Sequence, residues 1–328
     1  MVPWLARPVL NIDLAKPMAE QGFPAAAAAS ARRLLAAIKE TIPAKARFLA
    51  QLARLRTWNR FQREVVGIAK MADADWRDVM LANLSYDLVL SSLGCSTIAL
   101  PTRDGPVLAR NMDWWPEDLL ARASYLLCYQ QAGVTRFVNA GWPGGVGVVT
   151  GMSQRGFAVA LNAVSCPEPF TKTGYPVLLH VRRVIEDARD FDEALAMLRD
   201  QRLTAPALFT LVGTDNEQRV VIERNVVLRP VVADEHMVIG HARLGFDHSR
   251  LHRAGWREDI LVVDEGHPLG RGLAVGRWFR HSNAVALLVC LFAVHKLKNC
   301  ERCVETLFVG SCHFLWLVTP AAFGKNLF

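Results

Sequence analysis

The amino-acid sequence predicts an α+β protein, because helical and strand-like segments occupy different parts of the chain. From about Phe23 to Leu93, apolar residues recur at spacings of three and four, which indicates amphipathic helices. From Cys95 onward, short apolar runs are separated by turns rich in glycine, which indicates strands. The chain has 328 residues and 52% of them are hydrophobic, so it can bury a large core.

Three helices are predicted before this boundary. An alanine-rich and leucine-rich stretch follows Pro24, and proline is well tolerated in the first turn of a helix. Two later stretches keep the helical spacing, and Asp73 or Asp75 is expected to cap the second of them. The stretches read FPAAAAASARRLLAAIKETI, FQREVVGIAKMA and DADWRDVMLANLSYDLVL.

The rest of the chain predicts a series of strands with one long helix among them. The helix is expected over the amphipathic stretch PVLLHVRRVIEDARDFDEALAMLRDQ. Glycine-containing turns such as RDG, GWPGG and SQRG separate the strands that precede it. The predicted strands are STIAL, PVLAR, ASYLLCY, TRFVNA, GVGVVTGM, GFAVALNAV, ALFTLVGTD, RVVIERN and VVLRPVV.

The composition of the chain limits which binding partners and which cellular compartment are expected. The formal net charge of +7 is modest and the basic residues form no stripe interleaved with aromatics, so no nucleic-acid partner is expected. Seven scattered cysteines resemble no disulfide framework, which favours a reducing compartment. No secretory segment is recognised at the N-terminus, so cytoplasmic is the default localisation. The apolar runs at 283–294 and 307–318 are too short to span a bilayer and fit a buried strand or a lipid-touching surface better.

Cys95 lies where the helical pattern changes to the strand pattern. A lone cysteine is more often a small buried residue than a nucleophile. An N-terminal nucleophile, however, must begin a strand, because cleavage before it frees the α-amine that serves as the base for its own thiol. The boundary at Cys95 is compatible with both interpretations.

Two charged residues follow Cys95 across a turn. Arg110 and Asp113 lie 15 and 18 positions after it, and a hairpin through RDG would bring them alongside Cys95. A guanidinium near a thiol favours the thiolate, and a carboxylate near an α-amine can orient that amine. On these residues alone, a surface ion pair remains the alternative.

Several ordered motifs between about residues 3 and 227 resemble one enzyme group. These motifs are PWLARPVLNIDL, FQREVVGIA, ANLSYDLVLSSLGCSTIAL, ARNMD, NAGWPGGVGVVTG, GFAVALNAV and APALFTLVGTDNEQRVVIERN. In them the sequence is similar to the acid ceramidase and N-acylethanolamine acid amidase members of the choloylglycine hydrolase group, which are cysteine N-terminal nucleophile hydrolases.

The resemblance implies a four-layer αββα sandwich, with two antiparallel sheets between layers of helices. It implies that residues 1–94 form a mainly helical smaller chain, which self-cleavage before Cys95 releases from an amidase domain of residues 95–328. From about residue 266 the likeness ends, so that the end of the chain is atypical.

The resemblance also assigns roles to individual residues. Cys95 would be the nucleophile, uncovered by cleavage of the Gly94–Cys95 bond, and Arg110 would contact its thiol. Asp113 would hold the new α-amine, and Asn162 would donate to the oxyanion, although an asparagine at a strand end is also a common structural feature.

One position departs from the pattern of this group. A second oxyanion asparagine of the group has no counterpart here, because Gly240 and His241 stand where it is expected. Removal of one oxyanion donor can slow an enzyme about a hundredfold or more. The chain is therefore expected to be slow or to use another group, such as His241.

The resemblance implies no organic cofactor and no metal. Cys300, Cys303, Cys312 and His313 have zinc-like spacing, but adjacent residues on a strand point to opposite faces, so a metal site is not expected. The expected partner is a small-molecule N-acyl amide or lipid substrate, with contact to a membrane surface and a self-cleaved two-chain heterodimer as further expectations.

The predicted function is hydrolysis of the amide bond of an N-acylated lipid or related N-acyl amide through a Cys95 thioester. Trp114 and Trp142 are candidate substrate-binding residues at an apolar channel. One alternative is an acylase of the penicillin V or bile salt type. The other is a non-catalytic relative that binds lipids and has an incomplete oxyanion hole.

Overall fold

The computed structural model describes the helical part of the chain and both sheets. The described residues are 7–88, 93–103, 105–114, 116–164, 171, 173–224, 231–234, 238–242, 260–262, 304–309 and 313–318. None of the helices in these residues is long and apolar enough to cross a bilayer.

The N-terminal part consists of one strand followed by helices. Strand β1 is Val9–Asp13, and the helices are α1 (Ala25–Thr41), α2 (Arg47–Arg56), α3 (Gln62–Ala72), α4 (Trp76–Asn83) and α5 (Ser85–Leu88). Pro24 stands immediately before α1, as predicted.

The two predicted caps of the last long helix have different roles. The Asp75 side chain accepts a hydrogen bond from the backbone N–H of Arg77 at the start of α4, which confirms Asp75 as the cap. Asp73 instead ends α3, with a left-handed backbone (φ of 52°).

An eight-stranded sheet forms the larger of two sheets. Its order is β1-β4-β5-β6-β7-β8-β9-β10, and every pair is antiparallel except β1 with β4. Both faces of the central strands are covered, because every residue of β7 and β8 is buried. The strands after β1 are β4 (Tyr125–Gln131), β5 (Val134–Gly141), β6 (Thr150–Ser153), β7 (Phe157–Asn162), β8 (Ala207–Val212), β9 (Arg219–Arg224) and β10 (Val231–Asp234).

A six-stranded antiparallel sheet contains the predicted nucleophile. Its order is β12-β11-β2-β3-β14-β13, which puts the hairpin that begins near Cys95 at its centre. In the apolar run at 307–318, residues 307–309 and 313–318 lie in two paired strands, whereas residues 310–312 and the run at 283–294 lie outside the described residues. Burial of the first run stays a prediction. The strands are β2 (Leu93–Leu100), β3 (Val107–Trp114), β11 (Val238–Ala242), β12 (Ile260–Val262), β13 (Val304–Val309) and β14 (His313–Val318).

The two sheets pack face to face, with helices on the outer face of the larger one. Strands β2 and β3 lie against β7, and β2 also lies against β8. The helices α7 (Val177–Asp187) and α8 (Phe191–Asp200) cover strands of the larger sheet, and α6 (Glu117–Arg122) lies beside β3. This arrangement confirms the α+β class and the paired sheets. A second helical layer against the smaller sheet stays a prediction.

The prediction of one long helix among the strands is wrong in one respect. It is divided between Ala188 and Asp190 into α7 and α8. The Asp190 side chain accepts from the backbone N–H of Glu193 and so begins a new helix. A local cap has therefore overridden the continuous hydrophobic spacing.

A buried arginine links the N-terminal helices to the larger sheet. Arg182 on α7 is 1% exposed, and its Nη2 lies 3.1 Å from Glu64 Oε2 on α3 and 2.7 Å from Glu186 Oε1. Its guanidinium also lies over the rings of Tyr129 and Phe137, at 4.2 Å and 4.8 Å from their centroids. The helical segment is thus bound to the sheet by a charged contact as well as by apolar packing.

We predict that Arg182→Met lowers the free energy of unfolding by about 3–5 kcal/mol, because Glu64 and Glu186 lose the cation that compensates their burial. Urea unfolding followed by circular dichroism measures this change. Arg189→Met is the control, since Arg189 pairs with Glu193 at a side chain that is 79% exposed and should leave stability nearly unchanged. Equal effects of both substitutions would contradict a role for burial.

Candidate active site

The hairpin of β2 and β3 brings Cys95 and Arg110 onto the same face of the smaller sheet. The register pairs Cys95 with Met112 and Thr97 with Arg110. Arg110 therefore does not lie directly opposite Cys95, as expected from the sequence, but opposite Thr97, the next residue on the same face of β2. Because paired residues of an antiparallel ladder share a face, all four point toward the larger sheet. The arginine side chain is long enough to reach Cys95 from this position.

Arg110 contacts the sulfur of Cys95 in the space between the sheets. Arg110 is 1% exposed and Cys95 is 2% exposed, and Nη2 of the arginine donates to Sγ at 2.8 Å. The other terminal nitrogen, Nη1, donates to Thr150 Oγ1 at 3.0 Å and lies 3.5 Å from the carbonyl oxygen of Val149. One terminal nitrogen of the guanidinium therefore bonds to strand β6 of the larger sheet, and the other contacts Cys95 in the smaller sheet.

No carboxylate forms an ion pair with Arg110 among the side chains that the structure describes. A buried cation is costly unless a negative group compensates it. The sulfur of Cys95 can carry such a charge and is already in contact. This arrangement favours the thiolate form of Cys95, which is the nucleophilic form.

A second buried cysteine shows what burial does without a cation. Cys128 on β4 is 6% exposed and packs in an apolar cluster with Leu108 and Val138. Burial raises the pKa of the Cys128 thiol to about 11. Cys128 is therefore an unreactive structural cysteine, and it provides an internal comparison for Cys95.

Asn162 ends strand β7 in the same space between the sheets. It is fully buried, and its Oδ1 accepts a hydrogen bond from the hydroxyl of Thr97 at 2.5 Å. Thr97 lies two residues after Cys95 on the same face of β2. The bond fixes the side-chain amide of Asn162 close to the strand that carries Cys95, and a role of Asn162 in the oxyanion hole stays a prediction.

Gly94 and Asp113 are directly paired in the register of β2 and β3. This backbone position puts Asp113 beside the bond that precedes Cys95. The side chain of Asp113 is not among those described, so its contact with an α-amine stays a prediction.

The strand on the other side of β2 carries the positions where a second oxyanion donor was expected. In β11, Gly240 pairs with Thr97, His241 with Ser96 and Ala242 with Cys95. Because successive positions of a strand belong to opposite faces of the sheet, the position of His241 is not on the face that carries Cys95. The register therefore gives no support to His241 as the second donor.

Three aromatic residues form a row that joins the N-terminal helices to strand β3, which pairs with the strand of Cys95. Trp114 makes edge-to-face contacts with Tyr86 and Trp142, each with ring centroids 5.9 Å apart. Trp114 is 5% exposed, whereas Trp142 is half-buried. Both predicted substrate-binding tryptophans therefore belong to one aromatic cluster, and a role in substrate binding stays a prediction.

Sequence reasoning missed three residues that complete the site. Thr97 could have been found, because it follows Cys95 by the two-residue period of a strand face. Thr150 and Tyr86 gave no such signal, since each reaches the site only through the packing of separate elements. Within the described part of the chain, no group of three or more His, Cys, Asp or Glu is arranged to hold a metal ion. Of the zinc-like set, Cys300, Cys303 and Cys312 lie outside the described residues.

Comparison with known proteins finds relatives whose names are those of amide hydrolases and acyltransferases. Residues 101–242 match the family model of acyl-coenzyme A:6-aminopenicillanic acid acyl-transferase. The chain is 27% identical over 196 residues to acid ceramidase of Balaenoptera acutorostrata scammoni, covering 51% of this chain and 48% of that protein. It is 25% identical over 179 residues to the N-acylethanolamine-hydrolyzing acid amidase of Caenorhabditis elegans, covering 50% of each chain.

Over about half of its length, the chain is thus similar to acid ceramidase and to N-acylethanolamine-hydrolyzing acid amidase. A third match extends the group to acyl transfer, since the chain is 28% identical over 199 residues to the 40 kDa form of acyl-coenzyme A:6-aminopenicillanic-acid-acyltransferase of Emericella nidulans. That match covers 60% of this chain and 54% of the acyltransferase. The chain spans about half the length of the curated relatives that it matches.

We predict that Arg110→Met slows alkylation of Cys95 by iodoacetamide at pH 7 at least tenfold and moves its pH profile upward. The reason is that a guanidinium in contact with sulfur stabilises the thiolate by more than about 1.4 kcal/mol, the free energy of one tenfold step. Peptide mapping by mass spectrometry follows the Cys95 peptide, with the Cys128 peptide as the control that should not change. An identical profile for Cys95 in both proteins would show that Arg110 is only structural.

Proposed function

We propose that this chain is a self-processing cysteine amidase of the N-terminal nucleophile class, which hydrolyses the amide bond of N-acylated lipids or related N-acyl amides through a Cys95 thioester. The observation that carries this proposal is the buried contact of 2.8 Å between Arg110 Nη2 and Cys95 Sγ, with no carboxylate partner for the arginine among the described side chains. The names of the relatives give independent support for acyl chemistry.

Self-cleavage is the first reaction in this proposal. The Cys95 sulfur attacks the carbonyl carbon of Gly94, and the bond from that carbon to the Cys95 nitrogen breaks as the thiol proton moves to the nitrogen. The product is a thioester between Gly94 and Cys95 with a free α-amine on Cys95. Water then hydrolyses the thioester: its oxygen joins the Gly94 carbonyl carbon as a carboxylate, one of its protons returns to the sulfur, and the other protonates the new α-amine.

Amide hydrolysis repeats the same chemistry on a substrate. The α-amine of Cys95 accepts the thiol proton, the sulfur attacks the acyl carbonyl, and the protonated amine delivers the proton to the leaving nitrogen. Water next attacks the acyl thioester and releases the fatty acid. In this scheme Arg110 favours the thiolate, Asp113 holds the ammonium, and Asn162 donates to the oxyanion of each tetrahedral intermediate.

The two-chain form follows from the same proposal. Residues 1–94 would remain as a smaller chain bound to residues 95–328. The Arg182 contact with Glu64 supports this heterodimer, because it joins α3 of the first part to α7 of the second without depending on the cleaved bond. Strand β1, which pairs with β4, provides a second link across the division.

Contact with a membrane surface is also part of the proposal. Phe48 and Leu55 on α2 and Trp58 after it are 61%, 57% and 89% exposed. Apolar residues exposed together on one helix are typical of surfaces that contact lipid or another protein. Such a surface would bring the enzyme to a substrate that resides in a bilayer.

A non-catalytic lipid-binding relative is the second candidate function. The observation that favours it is the register of β11, where the positions of Gly240 and Ala242 share a face of the sheet with Cys95. Neither residue has a side-chain amide. Loss of one oxyanion donor costs roughly 3–4 kcal/mol of transition-state stabilisation. An acylase of the penicillin V or bile salt type is the remaining alternative within the enzyme class.

We predict that Cys95→Ala abolishes both self-cleavage and amide hydrolysis, since both reactions use the same sulfur. Intact-mass analysis and release of fatty acid from an N-acyl amide measure the two reactions. Cys128→Ala, which removes the other described buried cysteine, should process and turn over like the wild type. Cleavage that persists in Cys95→Ala would remove Cys95 from the mechanism, and a wild-type protein inactive on every N-acyl amide would favour the non-catalytic function.

We predict that long acyl chains are preferred, because Trp114, on the strand that pairs with the strand of Cys95, contacts Trp142 and the pair is proposed as one apolar wall of the acyl site. Each buried methylene contributes up to about 0.8 kcal/mol, so affinity should rise several-fold per two carbons until the site is filled. A series of N-acyl amides from about four to eighteen carbons, assayed below saturation and below aggregation, tests this expectation. A flat series, or an optimum for short or aromatic acyl groups, would favour the penicillin and bile salt type instead.

A further inference from the structure

The guanidinium of Arg110 has few contacts that can fix its position. Nη2 donates to Cys95 Sγ, whereas Nη1 donates to Thr150 Oγ1 at 3.0 Å and lies 3.5 Å from the carbonyl oxygen of Val149. The third nitrogen, Nε, is buried and has no hydrogen-bond partner among the described residues. The Thr150 hydroxyl is therefore the shortest contact that holds the guanidinium apart from its contact with sulfur.

The carbonyl oxygen of Val149 is a weaker anchor than this hydroxyl. It already accepts a hydrogen bond from the backbone N–H of Leu161 at 2.9 Å, and its distance to Nη1 lies beyond the usual range of N–H···O bonds. The hydroxyl of Thr150 can instead rotate its proton away and offer a lone pair to the cation. Most of the anchoring at Nη1 therefore comes from Thr150.

Strand β6, which begins with Thr150, is itself held in place from outside. Gly151 lies so close to α7 that a Cβ atom at this position would come within 2.5 Å of Ile185 Cδ1. Just before the strand, the backbone N–H of Val148 donates to the carbonyl oxygen of Leu178 on α7 at 3.1 Å. The Thr150 side chain is 1% exposed. Thr150 is thus a fixed, buried point of the larger sheet, which the arginine reaches from the smaller sheet.

The chemistry of this anchor preserves the charge on Arg110. A carboxylate at the same position would also bond Nη1, but it would compensate the cation in place of the sulfur. A hydroxyl holds the guanidinium and leaves its charge uncompensated. Thr150 therefore combines a fixed position with an electrically neutral contact, and both favour negative charge on Cys95.

The other ionisable groups around this pair do not replace the arginine. Tyr86 on α5 interacts electrostatically with Cys95 and Arg110, but burial raises the pKa of its hydroxyl well above the ordinary value, so that it stays neutral. On β3 and β11, the positions of Asp113 and His241 are on the face of the sheet that does not carry Cys95. The pH profile of the sulfur is therefore expected to depend chiefly on Arg110.

We infer that Thr150 is a positioning residue for the nucleophile, whose hydroxyl holds Arg110 on the sulfur of Cys95 and so raises the reactivity of that sulfur near neutral pH. The inference deepens the proposed function, because it rests on Cys95 as the nucleophile. Without the hydroxyl, Nη1 keeps only the longer contact with Val149, and the guanidinium can turn away from the sulfur. The loss should be smaller than that caused by removing the arginine itself.

The test measures the rate of Cys95 alkylation by iodoacetamide against pH in variants of Thr150, with peptide mapping by mass spectrometry. Thr150→Val removes the hydroxyl at nearly constant volume and should slow alkylation at pH 7 about threefold to tenfold, with the profile moved to higher pH. Thr150→Ala removes the same hydroxyl with a smaller side chain and should be slowed as well. Thr150→Ser keeps the hydroxyl and should stay within about twofold of the wild type.

Thr210→Val is the matched control. Thr210 lies on β8 of the same sheet, is fully buried, and its hydroxyl has no hydrogen-bond partner among the described residues. The same change there should leave the Cys95 profile unaltered. The Cys128 peptide reports on folding, because a variant that merely loosens the packing of the sheets would expose Cys128 and speed its alkylation.

A double-mutant cycle shows whether Thr150 acts through the arginine. In the Arg110→Met background, Thr150→Val should slow Cys95 by no more than about a further twofold, because residues that act as one unit are not additive. In the protein with Arg110, Thr150→Val should also lower kcat for amide hydrolysis with little change in KM.

Three outcomes decide between the alternatives. Alkylation of Thr150→Val at the wild-type rate, or equal slowing with and without Arg110, would overturn the inference. Slowing of Thr150→Ser as strong as that of Thr150→Val would also overturn it, because the hydroxyl would then not be the cause. A wild-type chain that is inactive on every N-acyl amide but shows the expected alkylation pattern would overturn the proposed function and support the inference alone.

Discussion

A guanidinium buried between two β-sheets is the constraint on which the candidate site depends. Arg110 comes from the smaller sheet, and neutral oxygens of Thr150 and Val149 in the larger sheet satisfy one of its terminal nitrogens. The other nitrogen contacts Cys95. Because a buried cation is strongly disfavoured without compensation, the electrostatics of the site favour negative charge on sulfur and on any oxyanion formed next to it. The strands that carry these residues are rigid elements, which hold the donors in place before a substrate arrives.

The N-terminal helices contribute to the site as well as to stability. They are bound to the larger sheet through the Arg182 cluster, and their last turn, α5, packs against Trp114 beside Cys95. The same segment precedes strand β2, which carries Cys95 and the bond that the proposed self-cleavage would cut. In that proposal the sulfur attacks an acyl group of its own chain, and an intramolecular attack is favoured by proximity.

The sequence predicted much of this arrangement because local patterns determine much of it. Strand alternation and the turn at RDG were sufficient to put Arg110 on the same face as Cys95, and an aspartate cap predicted the start of α4. The division into α7 and α8 was not predicted, since Asp190 interrupts a hydrophobic spacing that continues on both sides of it. The partners Thr150 and Tyr86 could not be predicted, because they meet the site only after two sheets and a helix have packed together. The roles of Asp113 and of the chain after about residue 266 stay as predictions.

Trapping of the acyl-enzyme is the measurement that tests the central claim most directly. The protein would be mixed with a long-chain N-acyl amide, quenched in acid within one turnover, and analysed by top-down mass spectrometry. We expect the mass of one acyl group on a fragment that begins at Cys95, located on that residue and removed by hydroxylamine, as a thioester is. Release of fatty acid with the acyl group found on another residue, or on no residue while Cys95 remains internal to an uncut chain, would contradict a role for Cys95 as the N-terminal nucleophile.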